Sequence, residues 1–95
     1  MEPITELASL TLPIPLRQEP GGVYRVGASR VLLELVIREF QNGATPESIV
    51  QSYSTLNLTD VYAVISYYLA NPEPIEEYLR LIRAKAREQQ RAATG

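Results

Sequence analysis

A mainly α-helical domain is predicted by three features of the 95-residue sequence: a three-helix, helix-turn-helix-like core with an N-terminal β-arm or hairpin before it and a C-terminal helix after it. Apolar residues recur at helical spacing in three consecutive segments joined by two short turns, the shortest segment in the middle. Each segment is bounded by residues that start or stop helices. Ahead of them, residues 1–22 hold four of the seven prolines and end in Gly21-Gly22, which rules out a continuous helix there.

Residues 1–22 read as an extended, Pro-rich arm. In it Leu12, Ile14 and Leu16 alternate with Pro13 and Pro15, giving one apolar face at the two-residue period of an edge strand or a polyproline stretch. The turn signal Glu19-Pro20-Gly21-Gly22 leads into Val23-Tyr24-Arg25-Val26, whose β-branched and aromatic content suits a short strand. Gly27 and a second β-like piece around Arg30-Val31 follow, so a small hairpin is expected.

Residues 23–84 read as the helix-turn-helix-like domain with its short β segment. Leu32, Leu33, Leu35, Val36, Ile37 and Phe40 form a broad apolar stripe, and Asn42-Gly43 end it because both tolerate the left-handed conformation that closes a helix. Thr45 then caps a short second helix, Pro46 sits where its missing N–H costs nothing, and Glu47 faces the positive end of the helix dipole. Asn57, with Asp60 three residues later, makes a capping-box-like start to a third helix from Leu58 to Ala70. Its buried side is expected to carry Leu58, Val61, Ile65 and Tyr68 or Leu69. Asn71-Pro72 stops it and opens a last helix with Ile75, Tyr78, Leu79 and Ile82 on one stripe. Glu73, Glu76 and Glu77 near its beginning, and Arg80, Arg83, Lys85, Arg87 and Arg91 later, match the dipole of a helix. Residues 85–95 are expected to form a solvated or frayed tail. Helix lengths leave open both a homeodomain-like arrangement and another small bundle.

Composition narrows the chemistry. With no His and no Cys there is no imidazole base, thiol nucleophile, disulfide frame or zinc site, and no cofactor or metal is expected. Glu76 and Glu77 point about 100° apart on a helix, and Glu76 can pair with Arg80, so they read as a solvated face and not an acid–base dyad. Asp60 reads as a helix cap. The expectation is a protein without enzymatic activity. Nine Lys plus Arg stand against eleven Asp plus Glu, a net charge of −2 that disfavours indiscriminate coating of nucleic acid or anionic membrane. Any nucleic-acid contact has to come from a local patch. Without a long apolar stretch, and with an acidic beginning where a secretory signal is basic, the expected location is cytoplasmic, with no membrane partner.

Two groups of cations are candidates for binding a nucleic acid or a protein partner. Arg17, Arg25 and Arg30 on the β-arm could share one face and grip phosphates or an acidic cleft; the alternative is a solvated edge that discourages strand aggregation. Arg80, Arg83, Lys85 and Arg87, in the most concentrated basic segment, could wrap nucleic acid, insert into a partner or end a soluble helix. Between Glu39 and Leu79 there is no Lys or Arg, so the third helix has no cation for guanine or phosphate. Tyr62, Tyr67, Tyr68 and Tyr78 lie beside apolar residues without nearby cations, which suits core or dimer interface better than base stacking. A core this small gains from oligomerisation, and packing of Leu12, Ile14 and Leu16 against a twofold-related copy is expected.

The run from Gly21 to Leu79 resembles the prokaryotic family called domain of unknown function 433, whose pattern is V-x-G-(T/S)-R-(I/V), a V-I helix, G-x-(S/T)-P-E-x-I and L-x-x-x-D-V-x-x-(A/V)-I-x-Y-Y. The family's glycine falls on Gly27, its Ser or Thr on Ser29, its arginine on Arg30, its Pro-Glu pair on Pro46 and Glu47, and its aspartate on Asp60. Two departures are Gly27-Ala28-Ser29, where the family has Gly-Thr or Gly-Ser, and Leu32, where a Thr or Pro often opens the first helix. The resemblance implies a helix-turn-helix-like core with a preceding β-arm. It also implies kinship with VapB-type antitoxins, which bind and block a PIN-like ribonuclease toxin and in some cases repress their own operon as dimers. The expected partners are therefore a PIN-like toxin, operator DNA and a second copy of the chain. The alternatives are a DNA-binding regulator of helix-turn-helix type and an orphan structural or interaction protein.

Overall fold

The computed structural model describes residues 14–94, with side chains described up to Gln89. Leu12 and the rest of the predicted arm before Ile14, together with the side chain of Arg91, lie outside the described residues. The order is β1 (Leu16–Gln18), β2 (Tyr24–Val26), α1 (Leu33–Gln41), α2 (Pro46–Ser52), α3 (Leu58–Ala70) and α4 (Pro72–Thr94). The protein is mainly helical, with the predicted hairpin ahead of the helices.

β1 and β2 pair antiparallel with Leu16 opposite Val26, Arg17 opposite Arg25 and Gln18 opposite Tyr24. The connecting turn is closed by the Gly22 N–H donating to the Glu19 carbonyl at 2.9 Å, with Pro20 and Gly21 at its centre. In place of the second β-like piece expected around Arg30-Val31 there is a single bridge from Arg25 to Leu32. A tight turn intervenes: Ser29 Oγ donates to the Val26 carbonyl at 2.6 Å and accepts from the Val31 N–H at 3.1 Å, which leaves no length for a strand.

The helix boundaries follow from local chemistry. Leu32 occupies the N-cap of α1 in an extended conformation with no side-chain cap bond. At the other end Gly43 adopts φ +99°, its N–H donates to the Phe40 carbonyl at 3.0 Å and the Ala44 N–H donates to the Glu39 carbonyl at 3.0 Å, the pair of bonds that closes a Schellman end. Thr45 and Ser48 cap α2 reciprocally, side chain to backbone in both directions, with Pro46 at the first helical position. Asn57 Oδ1 caps α3 by accepting from the N–H groups of Thr59 at 2.8 Å and Asp60 at 3.4 Å. α4 continues as helix to Thr94 through the segment expected to fray.

One core joins these elements. Val26 of β2, Leu33, Val36 and Ile37 of α1, Ile49 of α2, Val61, Val64 and Ile65 of α3, and Ile75 and Leu79 of α4 are all buried. Each such side chain contributes about 1.5–3 kcal/mol when fully removed from water. The predicted inner face of α3 needs correction, because Leu58 and Leu69 are exposed while Val64 is buried. The helical period explains it: Val61, Val64 and Ile65 centre the buried stripe, and Leu58 and Leu69 sit about 70–90° away from that centre.

Candidate functional site

The β-arm arginines are placed by strand register. Arg17 and Arg25 stand directly across the ladder from each other and so share one face, as the sequence suggested. Their donors, however, are used within the chain. Arg17 donates to the carbonyls of Gly27 and Ser29, the latter at 3.0 Å. Arg25 Nε donates to Glu19 Oε1 at 2.8 Å, and its Nη1 donates to the Arg30 carbonyl. The Arg25 guanidinium, with smaller contributions from the charges of Arg17 and Arg30, holds the Glu19 carboxyl below the usual carboxylate range. Arg30 is exposed and its side chain makes no hydrogen bond or ion pair among the described residues. Two of the three guanidiniums thus brace the turn, and the third is open to a ligand.

That turn meets the beginning of α3 at a close approach. Gly27 has φ +58°, and a Cβ built on it would lie 2.4 Å from Asp60 Oδ2. The Asp60 carboxyl therefore lies against the backbone of the hairpin corner, a position that helical spacing cannot reveal. Cap and carboxylate are divided between two residues: Asn57 caps the helix, and Asp60 packs against Gly27.

α3 carries no cation, and its exposed side holds Leu58, Tyr62 and Leu69 at 40%, 48% and 61% exposure. Of the two places its spacing suggested, core or dimer interface, Tyr62 is thus outside the core. Its hydroxyl donates to Glu47 Oε2, which lowers the Glu47 carboxyl and raises the Tyr62 phenol from their ordinary values. Tyr68 OH donates to Glu76 Oε2 at 2.7 Å and accepts from Gln41 Nε2 at 3.0 Å, and the carboxylate pushes the Tyr68 phenol up. Glu76 consequently does not pair with Arg80 as its spacing suggested. Arg80 takes Glu77 instead, through contacts of 3.2 and 2.5 Å, because Glu76 is drawn to the tyrosine at the end of α3. Glu77 keeps the Arg80 guanidinium more firmly protonated.

The remaining candidates of α4 are dispersed. Arg83 lines a cavity of about 90 Å³ with Glu34, Arg38 and Leu79, and Glu34 Oε1 is buried with no hydrogen-bond partner among the described residues. Lys85 Nζ donates to the Gly21 carbonyl at 2.8 Å, the one hydrogen bond among the described residues that ties the distal part of α4 to the hairpin. Arg87 is exposed. The two groups of cations form no common patch: one bends into the hairpin corner, and the other runs along α4.

A feature missed by the sequence reading is a groove of about 420 Å³ between the hairpin, α3 and the beginning of α4. Leu16, Tyr24, Tyr67, Pro74, Ile75 and Tyr78 line it. Tyr78 OH accepts the Tyr24 N–H at 2.8 Å, and the two rings meet edge to face at 5.3 Å, which fixes one wall. Burial pushes the Tyr78 phenol up. Tyr24 and Tyr78 are 54 positions apart, so no periodicity pairs them.

Among the described residues no group of three or more acidic or metal-binding side chains is placed to hold a metal ion. Nor is any helix there long and apolar enough to cross a membrane. No curated protein matches the chain. A crystal structure of a DUF433 member protein from Anabaena variabilis ATCC 29413 is similar in fold, with a TM-score of 0.56 at 24% identity over 80% of this chain and 91% of that one. The family described as "Protein of unknown function (DUF433)" matches residues 20–68, which include the hairpin corner, α1, α2 and most of α3. Gly27 and Asp60 lie against each other at the joint between hairpin and third helix, inside the matched segment, and the chain belongs to the DUF433 family.

Proposed function

We propose that the chain is an antitoxin-like binding protein without catalytic activity, which binds and inhibits a PIN-like ribonuclease and, as a homodimer in the cytoplasm, represses its own operon. The observation that carries this reading is the 420 Å³ groove between hairpin and helices, walled by three tyrosines and by aliphatic side chains. Such a groove takes apolar side chains of a protein partner and offers hydroxyls at its rim. The open Arg30 guanidinium supplies a charge for acidic residues of a nuclease. Absence of cations from α3 favours protein contact over reading of the major groove.

The test is capture of a PIN-like ribonuclease from the host by the tagged chain, and inhibition of that nuclease, in stoichiometric mixture, by the wild-type protein and by Tyr67→Glu and Arg30→Ala; capture of no nuclease overturns the reading. Full inhibition by the wild type, weakened at least about tenfold by Tyr67→Glu, supports the reading. Nuclease activity unchanged by the wild-type protein overturns it. A second reading, a DNA-binding regulator, draws on the exposed cations along α4, Arg83 and Arg87 above all. It requires operator affinity that falls steeply with salt and weakens in Arg83→Ala and Arg87→Ala.

A further inference from the structure

The groove of about 420 Å³ between the hairpin, α3 and the beginning of α4 has no charged side chain among the described residues that line it. The chain enters the fold at this groove. Ile14, the first described residue, lines it beside Leu16 and is still 44% exposed. The Leu16 N–H donates to the Ile14 carbonyl at 2.8 Å, a three-residue turn about Pro15 that bends the preceding chain off the line of β1. In the sequence Leu10, Leu12, Ile14 and Leu16 recur at every second position, separated by Thr11, Pro13 and Pro15, and no charged residue occurs from Leu7 to Leu16. An extended chain puts such a set on one face. Ile14 and Leu16, the second half of that set, are already on the wall of the groove.

We propose that the groove is occupied by Leu10 and Leu12 of the same chain, so that the arm before Ile14 is an intramolecular strap over Tyr67, Ile75 and Tyr78. Reach favours this occupant. Leu12 is two residues from Ile14, so at most about 7 Å of chain separates it from a residue already on the wall, and Leu10 lies at most about 14 Å away. So short a tether gives the two leucines an effective concentration of about the millimolar range, which the arm of a second copy has to exceed to take their place. The chemistry agrees, because uncharged leucines meet aromatic and aliphatic walls with no carboxylate or cation to be stripped of water. Pro13 and Pro15 restrict the chain beforehand, which lowers the entropy lost on docking. A protein partner that enters this groove has to displace the strap, so the contact lowers that partner's apparent affinity. The strap itself needs no partner and stands or falls independently of nuclease binding.

Nuclear magnetic resonance of the whole, isotope-labelled chain tests this directly. Nuclear Overhauser contacts are expected from the Leu10 and Leu12 methyl groups to the rings of Tyr67 and Tyr78, unchanged on dilution. They are expected to vanish from isotope-filtered spectra of mixed labelled and unlabelled chains, which report only contacts between copies. A chain carrying both Leu10→Ser and Leu12→Ser is expected to have a folding equilibrium constant at least about tenfold lower in urea titration. Thr11→Ser, off the apolar face, is expected to change it by no more than about twofold. Absence of the methyl–ring contacts overturns the proposal. So do contacts found only between copies, or a double variant within about twofold of the wild type, whatever the outcome of the nuclease assay.

Discussion

The hairpin corner and the distal half of α4 hold most of the arginines of this small protein and use them in opposite ways. At the corner, Arg17 and Arg25 spend their donors on Gly27, Ser29, Arg30 and Glu19, and Ser29 closes its own turn. Along α4, Arg83 and Arg87 are exposed and have no ion pair within 4 Å among the described residues. The corner thus turns two of its three guanidiniums inward to hold the backbone, and only Arg30 there shares the exposure of the α4 cations.

The largest effect is expected at Gly27. Replacement by Ala forces a side chain into a left-handed conformation and drives its Cβ to 2.4 Å from Asp60 Oδ2. A loss of about 3 kcal/mol follows, a drop in melting temperature of about 12–20 °C that thermal denaturation reads out. Adding Asp60→Ala to that variant relieves the steric part and is expected to recover about 1 kcal/mol. Ser29→Ala comes next. It leaves the Val31 N–H without its acceptor in a half-buried turn, at a cost of about 1–3 kcal/mol in chemical denaturation.

A pH dependence sharpens the same contrast. The Glu19 carboxyl is depressed in the folded chain, so its contribution is present above its unfolded value of about 4.3 and is lost as pH falls through the lower folded value. The difference in melting temperature between wild type and Arg25→Ala is expected to shrink as pH is lowered from about 5 to about 3. The smallest effect is expected on α4, where Arg87→Ala changes the stability of the monomer by no more than about 0.5 kcal/mol in either direction. A larger loss there would show that the distal helix is held by the fold as firmly as the corner is.

The parts of this architecture readable from sequence are those governed by neighbours along the chain. Asn42-Gly43, Thr45-Pro46 and Asn57 set helix ends through bonds spanning two to five residues, and the structure has those ends within a residue of where the sequence puts them. Pro20 and Gly21 set the hairpin turn in the same way. Burial on α3 was less readable, because several apolar residues surround the helix and only the neighbouring helices select Val64 over Leu58 and Leu69. The candidate arginines were identifiable as residue types. Their engagement was not, because the acceptors of Arg17 lie 10 and 12 positions away across a ladder.

The helix ends from Asn42 to Pro72, the separation of acidic and basic segments along the chain, and the lack of any His or Cys chemistry were settled by the amino-acid order alone, because propensity, capping and charge are local properties. The contact of Asp60 with Gly27, the choice of Glu77 over Glu76 by Arg80, the pairing of Tyr24 with Tyr78 and the groove beside them arose from packing. Each depends on where two distant segments come to lie once apolar faces are buried together, and no repeat or spacing in the chain encodes that distance.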